Sequence, residues 1–333
     1  MKIFITGSTG FIGSKLALKL ANSGHIVHAL YRSDEKAKNI QHENIMLFKG
    51  DITDVESMKT AMQNCEQVYH IAAFTDVWTK IPDLIYDLNV KATENVFKIA
   101  LNLGIKKVVF TSTAGVFGPS INNIVTELTE RTVDYFLEYE RTKAIAEDFA
   151  KKYMQKELNV VIVNPTRVYG PGVLSKSNSV TIMIKSYIQG RWRVIPGDGK
   201  SVGNYVFIDD IVKGHIIAME KGKPGERYIL GGSNINYIDF FRIIKDISGK
   251  KHFMFKLPLV FMLAVSYFMM LLTKLFGVKP MITPALVKKF NYQWNVSSKK
   301  AEKELGHQIT NFREGATKTI DWLQSVNKGL DKT

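Results

Sequence analysis

Three glycines spaced three residues apart constrain this chain more than any other feature. Gly7, Gly10 and Gly13 lie between a predicted strand at residues 2–6 and a predicted helix that begins near Phe11. The first glycine permits a tight turn, the second lets a phosphate approach the backbone, and the third lets the helix pack on the strand. Unpaired N–H groups at the start of the helix favour an anion. With the next predicted strand, the loop completes a βαβ unit and predicts a dinucleotide-binding site.

Apolar, strand-like runs alternate with helix-length amphipathic segments through the first half of the chain. This alternation predicts an α/β fold, in which helices cover both faces of a doubly wound parallel sheet of the Rossmann type. Such sheets bind ligands beyond the carboxyl ends of their strands, where the strand order reverses. The predicted strands are residues 2–6, 26–31, 45–50, 67–71, 107–111 and 160–164, and the predicted helices include 14–22, 55–62, 82–103 and 138–157.

Glycine and proline interrupt this alternation after Asn164 and indicate a change of organisation. We therefore assign residues 1–165 to a cofactor-binding domain. We expect residues 204–232 to return to that domain, through a strand at 205–208 and a helix at 209–220. Residues 166–203 and 233–333 would then form a smaller, interleaved substrate-binding region.

The net charge of +14 is concentrated in the second half of the chain. Residues 1–184 carry 21 Lys and Arg against 19 Asp and Glu, whereas residues 185–333 carry 24 against 12. Such asymmetry is compatible with an anionic membrane surface, an acidic ligand or a solvated basic face. No nucleic-acid-binding motif accompanies it, so we expect no nucleic-acid partner.

The numbers and positions of cysteine and histidine limit which disulfides and metal sites the chain could form. The single cysteine, Cys65, excludes an intrachain disulfide and fits a reducing compartment. It precedes a predicted strand, which favours a buried structural thiol. The seven histidines show no metal-ligand spacing, so we predict no metal site. No secretory signal is apparent at the N-terminus, and we expect a cytoplasmic protein.

Tyr139 and Lys143 are four residues apart on a predicted helix and therefore share one face of it. A tyrosine has a pKa of about 10 in water, and a nearby ammonium favours its phenolate form. The pair could exchange a proton with a substrate oxygen during hydride transfer. Thr113, with Ser112 in reserve, follows the predicted strand at 107–111, where a hydroxyl could hydrogen-bond a substrate carbonyl; ordinary turn chemistry is the alternative.

Together these motifs resemble the extended short-chain dehydrogenase/reductase family, also called the NAD-dependent epimerase/dehydratase superfamily. The resemblance rests on the TGxxGxxG loop, the YxxxK pair and the Ser/Thr position, and it extends over nearly the whole chain. It implies that Tyr139 is the general acid/base, that Lys143 lowers the pKa of Tyr139 and binds ribose, and that Thr113 orients the substrate oxygen. The cofactor-binding residues that the resemblance implies are Gly7, Thr9, Gly10, Phe11, Ile12, Gly13, Asp51, Ile52, Ala72, Ala73, Asn89, Lys143 and Pro165.

The choice between NAD and NADP depends on the end of the second predicted strand. A carboxylate there usually binds the ribose 2′-hydroxyl of NAD, whereas an arginine accommodates the 2′-phosphate of NADP. Arg32 follows this strand directly, and Asp34 lies two residues further on. We predict NADP(H) on the strength of Arg32, with NAD(H) as the alternative if Asp34 takes the ribose.

An uncharged, apolar segment occupies residues 257–273. Its 17 residues are at the lower length limit for a membrane span. Three interpretations remain open: a buried or cavity-lining helix, which we favour; a helix embedded shallowly in one leaflet; and a true span. The second would place the protein peripherally on the inner face of a membrane.

The resemblance is strongest to the dihydroflavonol-4-reductase-like and 3β-hydroxysteroid dehydrogenase-like branch, and to hopanoid-associated sugar epimerases. It implies a small-molecule substrate, contacted through Phe74, Asp76 and Trp78, and the homodimers that family members often form. We predict NADP(H)-dependent ketone/alcohol chemistry on a largely apolar, lipid-like substrate. Two alternatives are a nucleotide-sugar epimerase or dehydratase, to which Arg191 and Arg193 would supply cations, and a non-catalytic cofactor-binding sensor or assembly protein.

Overall fold

The computed structural model describes residues 1–81 and 83–330. The strands are β1 (Lys2–Thr6), β2 (Ile26–Tyr31), β3 (Ile45–Lys49), β4 (Gln67–His70), β5 (Lys107–Thr111), β6 (Val160–Pro165), β7 (Arg167–Tyr169), β8 (Val194–Pro196), β9 (Val202–Phe207), β10 (Arg227–Leu230), β11 (Ser233–Asn236) and β12 (Phe255–Leu257). The α-helices are α1 (Phe11–Asn22), α2 (Asp34–Ala37), α3 (Val55–Met62), α4 (Leu84–Tyr86), α5 (Ala92–Asn102), α6 (Glu138–Met154), α7 (Ser179–Ile188), α8 (Ile208–Lys221), α9 (Tyr237–Ser248), α10 (Leu259–Phe276), α11 (Pro284–Lys289), α12 (Lys299–Leu305) and α13 (Phe312–Leu330).

Seven strands form the central sheet in the order β10-β6-β5-β4-β1-β2-β3, and every neighbouring pair is parallel. The chain builds outward from β1 to β3 on one side, and then from β4 on the other. The strand order therefore reverses between β1 and β4, where Thr6 pairs with His70. This switch point places a crevice beyond the carboxyl ends of both strands. The predicted α/β fold is confirmed.

Two apolar layers cover the sheet, one on each face, and together they bury its strands. One layer contains Leu16 of α1 and Ile211 of α8, and the other contains Met58 of α3, Phe97 of α5 and Ala146 of α6. Strand β6 is buried along its whole length. Its near-continuous run of valine and isoleucine is typical of a strand in the middle of a parallel sheet.

The second half of the chain alternates between the large sheet and two smaller ones. Strand β9, at the predicted strand 205–208, does not join the large sheet but pairs with β7 and β11. That part of the prediction is wrong, because Gly232 brings β11 against the backbone of Tyr205, where a Cβ on Gly232 would lie 2.1 Å from the Tyr205 carbonyl oxygen. Strand β10 is the segment that adds to the large sheet, beside β6.

The helix predicted at 82–103 is divided into three parts. Helix α4 and helix α5 are joined by a π-helical turn at Asp87–Lys91, and the predicted start at Pro82 lies outside the described residues. The wider turn buries Asn89 completely. The side-chain amide of Asn89 accepts from the N–H of Phe74 and donates to its carbonyl oxygen. The irregular turn thereby attaches this helix to the segment that follows β4.

Helix α10 lies on the surface, which makes the prediction of a buried helix wrong. Only Met262 and Ser266 are buried, whereas Val260 and Phe261 are 78% and 65% exposed. By length and composition α10 is the one helix in the described part of the chain that could cross a membrane. Sequence hydropathy alone could not distinguish a core helix from this exposed one.

Candidate active site

One cavity of about 590 Å³ lies beyond the carboxyl ends of β1, β4 and β5. It brings together the glycine loop, the segment after β4, the segment after β5 and the start of α6, although these are far apart in sequence. Of the predicted site residues, those that line it are Gly7, Thr9, Gly10, Phe11, Ile12, Gly13, Arg32, Ile52, Ala72, Ala73, Phe74, Ser112, Thr113, Tyr139 and Pro165.

The glycine loop has the close backbone approaches that its sequence predicts. Gly7 adopts a φ of +70°, and a Cβ there would lie 2.8 Å from the Ala72 nitrogen. A Cβ on Gly13 would lie 2.1 Å from the Gly7 carbonyl oxygen, so only glycine lets α1 pack this closely. Gly10 precedes α1 in extended conformation, and no side chain caps that helix end. The first turn of α1 therefore presents its N–H groups to the cavity.

Tyr139 and Thr113 form the polar end of the cavity. Burial raises the pKa of the Tyr139 phenol, the neighbouring Glu140 carboxylate raises it further, and a hydrogen bond with Thr113 lowers it. The Ser112 hydroxyl is buried without a hydrogen-bond partner among the described residues, and its influence is on Glu147, whose pKa it lowers against the raising effect of burial. The structure thus directs the hydroxyl of Thr113, rather than that of Ser112, to the phenol.

Lys143 lies one helical turn after Tyr139, and its side chain is completely buried. Its Nζ sits 4.1 Å from the centroid of the Phe110 ring and makes no hydrogen bond within the described residues. Burial lowers the pKa of this lysine to about 7, and the Glu147 carboxylate opposes that shift. A buried ammonium without an acceptor fits a site that ribose hydroxyls would complete.

Behind the cavity wall, a chain of hydrogen bonds joins β1 to the π-helical turn. The Thr6 hydroxyl accepts from the N–H groups of both Ile71 and Ala72, which occupies its two lone pairs, so it donates to His70 Nδ1 at 2.7 Å. His70 Nε2 then donates to Thr93, which donates to the Asn89 carbonyl. Burial lowers the pKa of His70 to about 3, and the nearby Lys143 ammonium lowers it as well. His70 is therefore neutral, and Asn89 supports the cavity wall through Phe74 without lining the cavity.

Two cations line the other end of the cavity, beyond β2. Arg32 was predicted there, and Lys36, on the first helical turn after it, was not. Asp34 forms an ion pair with Lys49 at 2.6 Å, and that bond lowers the pKa of its carboxyl group. Asp51 does not line the cavity but accepts a hydrogen bond from Arg32 at 3.3 Å.

Arg167, on β7, lines the cavity near its polar end and was missed by the sequence analysis. Its Nη1 donates to the hydroxyl groups of Tyr205 and Tyr237 at 3.3 and 3.2 Å. Among the described residues, the Arg167 guanidinium forms no ion pair with a carboxylate. Both tyrosines come from later parts of the chain, so no local pattern around Arg167 could have indicated this role.

Glu140 is the centre of a buried ion cluster behind Tyr139. It pairs with Arg131 at 3.3 Å and with Lys289 of α11, and the Glu140 side chain is only 2% exposed. Burial lowers the pKa of Lys289, while Glu140 raises it and Arg167 and Arg131 lower it. The cluster fixes the start of α6, and therefore Tyr139, against the C-terminal region.

Several predicted residues lie away from the cavity. Asp76 and Trp78 do not line it, and Asp76 pairs with Lys279 after α10. Neither Arg191 nor Arg193 lines it, and Arg193 hydrogen-bonds the carbonyl of Gly190. These two arginines are therefore not placed to bind a ligand in the cavity.

Cysteine and metal chemistry have no structural support in this site. Cys65 is buried, as predicted, and burial raises the pKa of its thiol to about 12, which keeps the thiol protonated. No group of three or more His, Cys, Asp or Glu residues within ranges 1–81 and 83–330 could hold a metal ion.

The fold and the cavity define a class of protein. The cavity is lined by a glycine loop at the switch point, an uncapped helix N-terminus and a tyrosine, and a buried ammonium without a hydrogen-bond partner lies one helical turn beyond that tyrosine. These are the elements of an NAD(P)-binding enzyme of the short-chain dehydrogenase/reductase type. The model of the NAD dependent epimerase/dehydratase family matches residues 3–231. The chain belongs to that family.

Individual relatives match over almost the whole chain. A protein of Synechocystis sp. with the name "Putative dihydroflavonol 4-reductase" is 28% identical, over 99% of this chain and 96% of its own. Sterol demethylase protein B of Methylococcus capsulatus is 27% identical, over 97% of this chain and 98% of its own. The crystal structure of gox2253 superposes with a TM-score of 0.83 at 30% identity and covers 98% of both chains.

Proposed function

We propose that this protein is an NADP(H)-dependent oxidoreductase that interconverts a ketone and an alcohol on a largely apolar substrate. The single observation that carries the proposal is the position of Tyr139 in the cavity wall, beside the hydroxyl of Thr113 and one turn of α6 before the buried ammonium of Lys143. This arrangement can hold a carbonyl oxygen and give it a proton at one point of the cavity.

Each of these residues has a distinct part in that reaction. The bound nicotinamide would supply or receive the hydride. Tyr139 would donate its proton to the substrate oxygen during reduction, and Thr113 would orient that oxygen. Because burial raises the pKa of Tyr139, the phenol is a proton donor in the resting protein. Lys143 would hold the ribose and stabilise the phenolate that remains after proton transfer.

The preference for NADP(H) is supported by the charges beyond β2. Arg32 and Lys36 line the cavity there, whereas the carboxylates of Asp34 and Asp51 are engaged by Lys49 and Arg32. Two cations suit a 2′-phosphate, and a carboxylate already bound to lysine is a poor acceptor for a ribose hydroxyl. NAD(H) remains the alternative cofactor.

An apolar substrate is supported by the apolar side chains in the cavity lining. Phe74, Leu84, Leu88, Val168 and Val180 line that part of the cavity. These side chains supply hydrocarbon in the same cavity as Tyr139, so that a lipid-like molecule with one reactive oxygen would be accommodated. A relative that covers nearly the same length carries the name sterol demethylase protein B, which supports the same class of substrate.

The proposal is tested by titration of the purified protein with NADPH and NADH, followed by measurement of NADPH oxidation with steroid, isoprenoid and simple aliphatic ketones. We expect tighter binding of NADPH and stoichiometric consumption of NADPH with at least one apolar ketone. Tighter binding of NADH would overturn the cofactor assignment. Failure of every ketone, with turnover of a nucleotide sugar, would overturn the reaction assignment.

The second candidate function is nucleotide-sugar epimerisation or dehydration, in which hydride leaves and returns within one cycle. Arg167 favours this candidate, because a partly buried cation in the cavity wall suits an anionic or carbonyl group. Incubation with nucleotide sugars distinguishes the two functions, since an epimerase converts its substrate without net consumption of cofactor.

A further inference from the structure

We propose that α10 and its flanks form a docking surface for an anionic lipid bilayer, with α10 lying along one leaflet. The apolar surface comprises the outward face of α10 together with Phe253, Phe255, Val278 and Met281. All four flanking residues are exposed, to between 58% and 86%. This proposal concerns where the protein binds and does not depend on its reaction.

The outward face of α10 is apolar over its whole length. Phe261, Val265, Phe268, Leu271 and Leu275 follow one another at intervals of three or four residues, and each is more than half exposed. Met262 and Ser266 lie on the opposite face and are buried against the protein. This stripe of five exposed apolar side chains extends about 21 Å along the helix, and a contiguous exposed apolar patch of this kind marks a protein or membrane interaction site.

Lysine is the only charged residue type in the stretch of sequence that contains the apolar surface, although Lys279, Lys289 and Lys300 pair with acidic residues from other parts of the chain. Residues 247–301 contain nine lysines and no aspartate or glutamate. Lys250, Lys251 and Lys256 are exposed in the segment that precedes α10, and Lys274 is exposed in its last turn. Lysines around an apolar helix combine hydrocarbon burial with attraction to anionic headgroups, which is the pattern of an interfacial helix.

The ends of α10 exclude an orientation across the membrane. Before the helix, β12 pairs with β8, with Phe255 opposite Val194. After it, Lys279 pairs with Asp76, and Val296 forms a bridge with Val125. Both ends are therefore attached to the same folded body and must stay on the same side of a bilayer.

A second copy of the chain fits this surface less well than lipid. A two-fold dimer brings the same patch of both copies together, so the lysines of one copy would face those of the other. Like charges opposed at an interface are unfavourable, and this stretch has no acidic residue to compensate them. Anionic headgroups supply the missing negative charge.

The apolar surface also adjoins the cavity. Phe74 and Thr75 line the cavity, and Asp76, the next residue, is paired with Lys279 just beyond α10. The Lys80 ammonium approaches Gly277 at the C-terminal end of the same helix. A docked protein would therefore hold this part of the cavity wall next to the headgroups.

Flotation with vesicles tests the docking proposal on the full chain. We expect the protein to float with vesicles of phosphatidylglycerol and phosphatidylethanolamine, to bind pure phosphatidylcholine vesicles much more weakly, and to lose binding as salt is raised. The double variant Phe268→Asp/Leu271→Asp should bind at least about tenfold more weakly, because it places two carboxylates on the lipid-facing stripe. Exchange of Lys250 and Lys251 for glutamine should weaken binding to anionic vesicles by about fivefold for each lysine.

Leu128→Asp is the matched control, because Leu128 is 90% exposed and lies outside the apolar surface. It should float like the unmodified protein. Cofactor titration and thermal melting of each variant show whether it is folded. The proposal is overturned if the folded protein floats with neither vesicle, or if the double variant binds as well as the control. It is also overturned if sedimentation shows a dimer that the double variant converts to monomer without any change in vesicle binding.

Discussion

The ammonium of Lys143 lies over the face of the Phe110 ring, 4.1 Å from its centroid, and donates no hydrogen bond to any described residue. The ring face attracts the cation but cannot accept its three protons as oxygen atoms would. Lys143 is thus held in place by packing and left unsatisfied in hydrogen bonding. In the cofactor-free protein the unsatisfied, buried ammonium reduces stability.

A consequence for pH dependence follows from the depressed pKa of Lys143. In the unfolded chain the lysine titrates near its usual pKa of 10.5, whereas burial lowers the pKa of the folded form to about 7. Between these values the unfolded chain binds one more proton, so the contribution of Lys143 to stability rises with pH, by up to about 1.4 kcal/mol per pH unit.

Lys143→Met should therefore remove this slope. We expect the unfolding free energy of the unmodified protein, measured without cofactor, to increase relative to that of the variant from pH 7 to pH 10. Denaturant unfolding at several pH values checks this, and subtraction of the two curves cancels the other titrating groups. A difference that stays constant over this range would contradict the buried, partly neutral lysine.

Gly10 and Gly13 should respond differently to alanine. A Cβ on Gly13 would meet the Gly7 carbonyl oxygen at 2.1 Å, whereas a Cβ on Gly10 comes no closer than 3.2 Å to that atom. Gly13→Ala should lower the unfolding free energy by about 1–3 kcal/mol or more. Gly10→Ala should stay close to the unmodified protein in stability but bind NADPH much more weakly, because its methyl group faces the cavity.

Thermal melting and cofactor titration of the two variants separate these effects. Equal losses of stability would mean that the loop is not packed as described. Equal cofactor affinities would mean that the phosphates do not approach Gly10.

The double variant Arg32→Ala/Lys36→Ala should weaken NADPH binding by about 10–100-fold and leave NADH binding nearly unchanged. Both cations line the cavity beyond β2, and a charged hydrogen bond to a phosphate contributes about 1.5–3 kcal/mol. Lys38→Ala is the matched control, since Lys38 is exposed nearby but does not line the cavity. Fluorescence titration measures both affinities, and an equal loss for NADH and NADPH would refute recognition of the 2′-phosphate.

Arg167→Met should lower kcat/KM for the carbonyl substrate by about tenfold to 100-fold, because a charged hydrogen bond to the substrate is lost. Affinity for NADPH should hardly change. Tyr237→Phe removes one of the two tyrosine contacts of Arg167 and should have a smaller effect. Steady-state kinetics with a saturating cofactor shows whether kcat/KM falls further in Arg167→Met than in Tyr237→Phe. An unchanged kcat/KM for Arg167→Met would exclude contact between Arg167 and the substrate.

The sequence predicted the sheet well because buried parallel strands are continuous apolar runs. The bounds of β1, β2 and β5 agree with the predicted strands at 2–6, 26–31 and 107–111. The glycine loop, Thr113 and Tyr139 were predicted to share one site, and the structure places all of them around one cavity. These features depend on local patterns and on the fixed geometry of a doubly wound sheet.

Other features depend on contacts between distant residues. The π-helical turn forms where Asn89 reaches Phe74, and Arg167 is held by tyrosines 38 and 70 residues later in the chain. Helix α10 illustrates a different difficulty, because its hydropathy is the same whether protein, lipid or water covers it. Only the packing of Met262 and Ser266 shows which face is turned inward.

Net consumption of NADPH by the unmodified protein and by Tyr139→Phe, with the best ketone from the substrate screen, tests the central claim most directly. Removal of the phenol should reduce kcat by about 10²–10⁴-fold, because the phenol is the proposed proton donor to the substrate oxygen. NADPH should still bind with nearly unchanged affinity. Turnover by Tyr139→Phe at the unmodified rate, or product formation without net loss of NADPH, would contradict the proposed oxidoreductase.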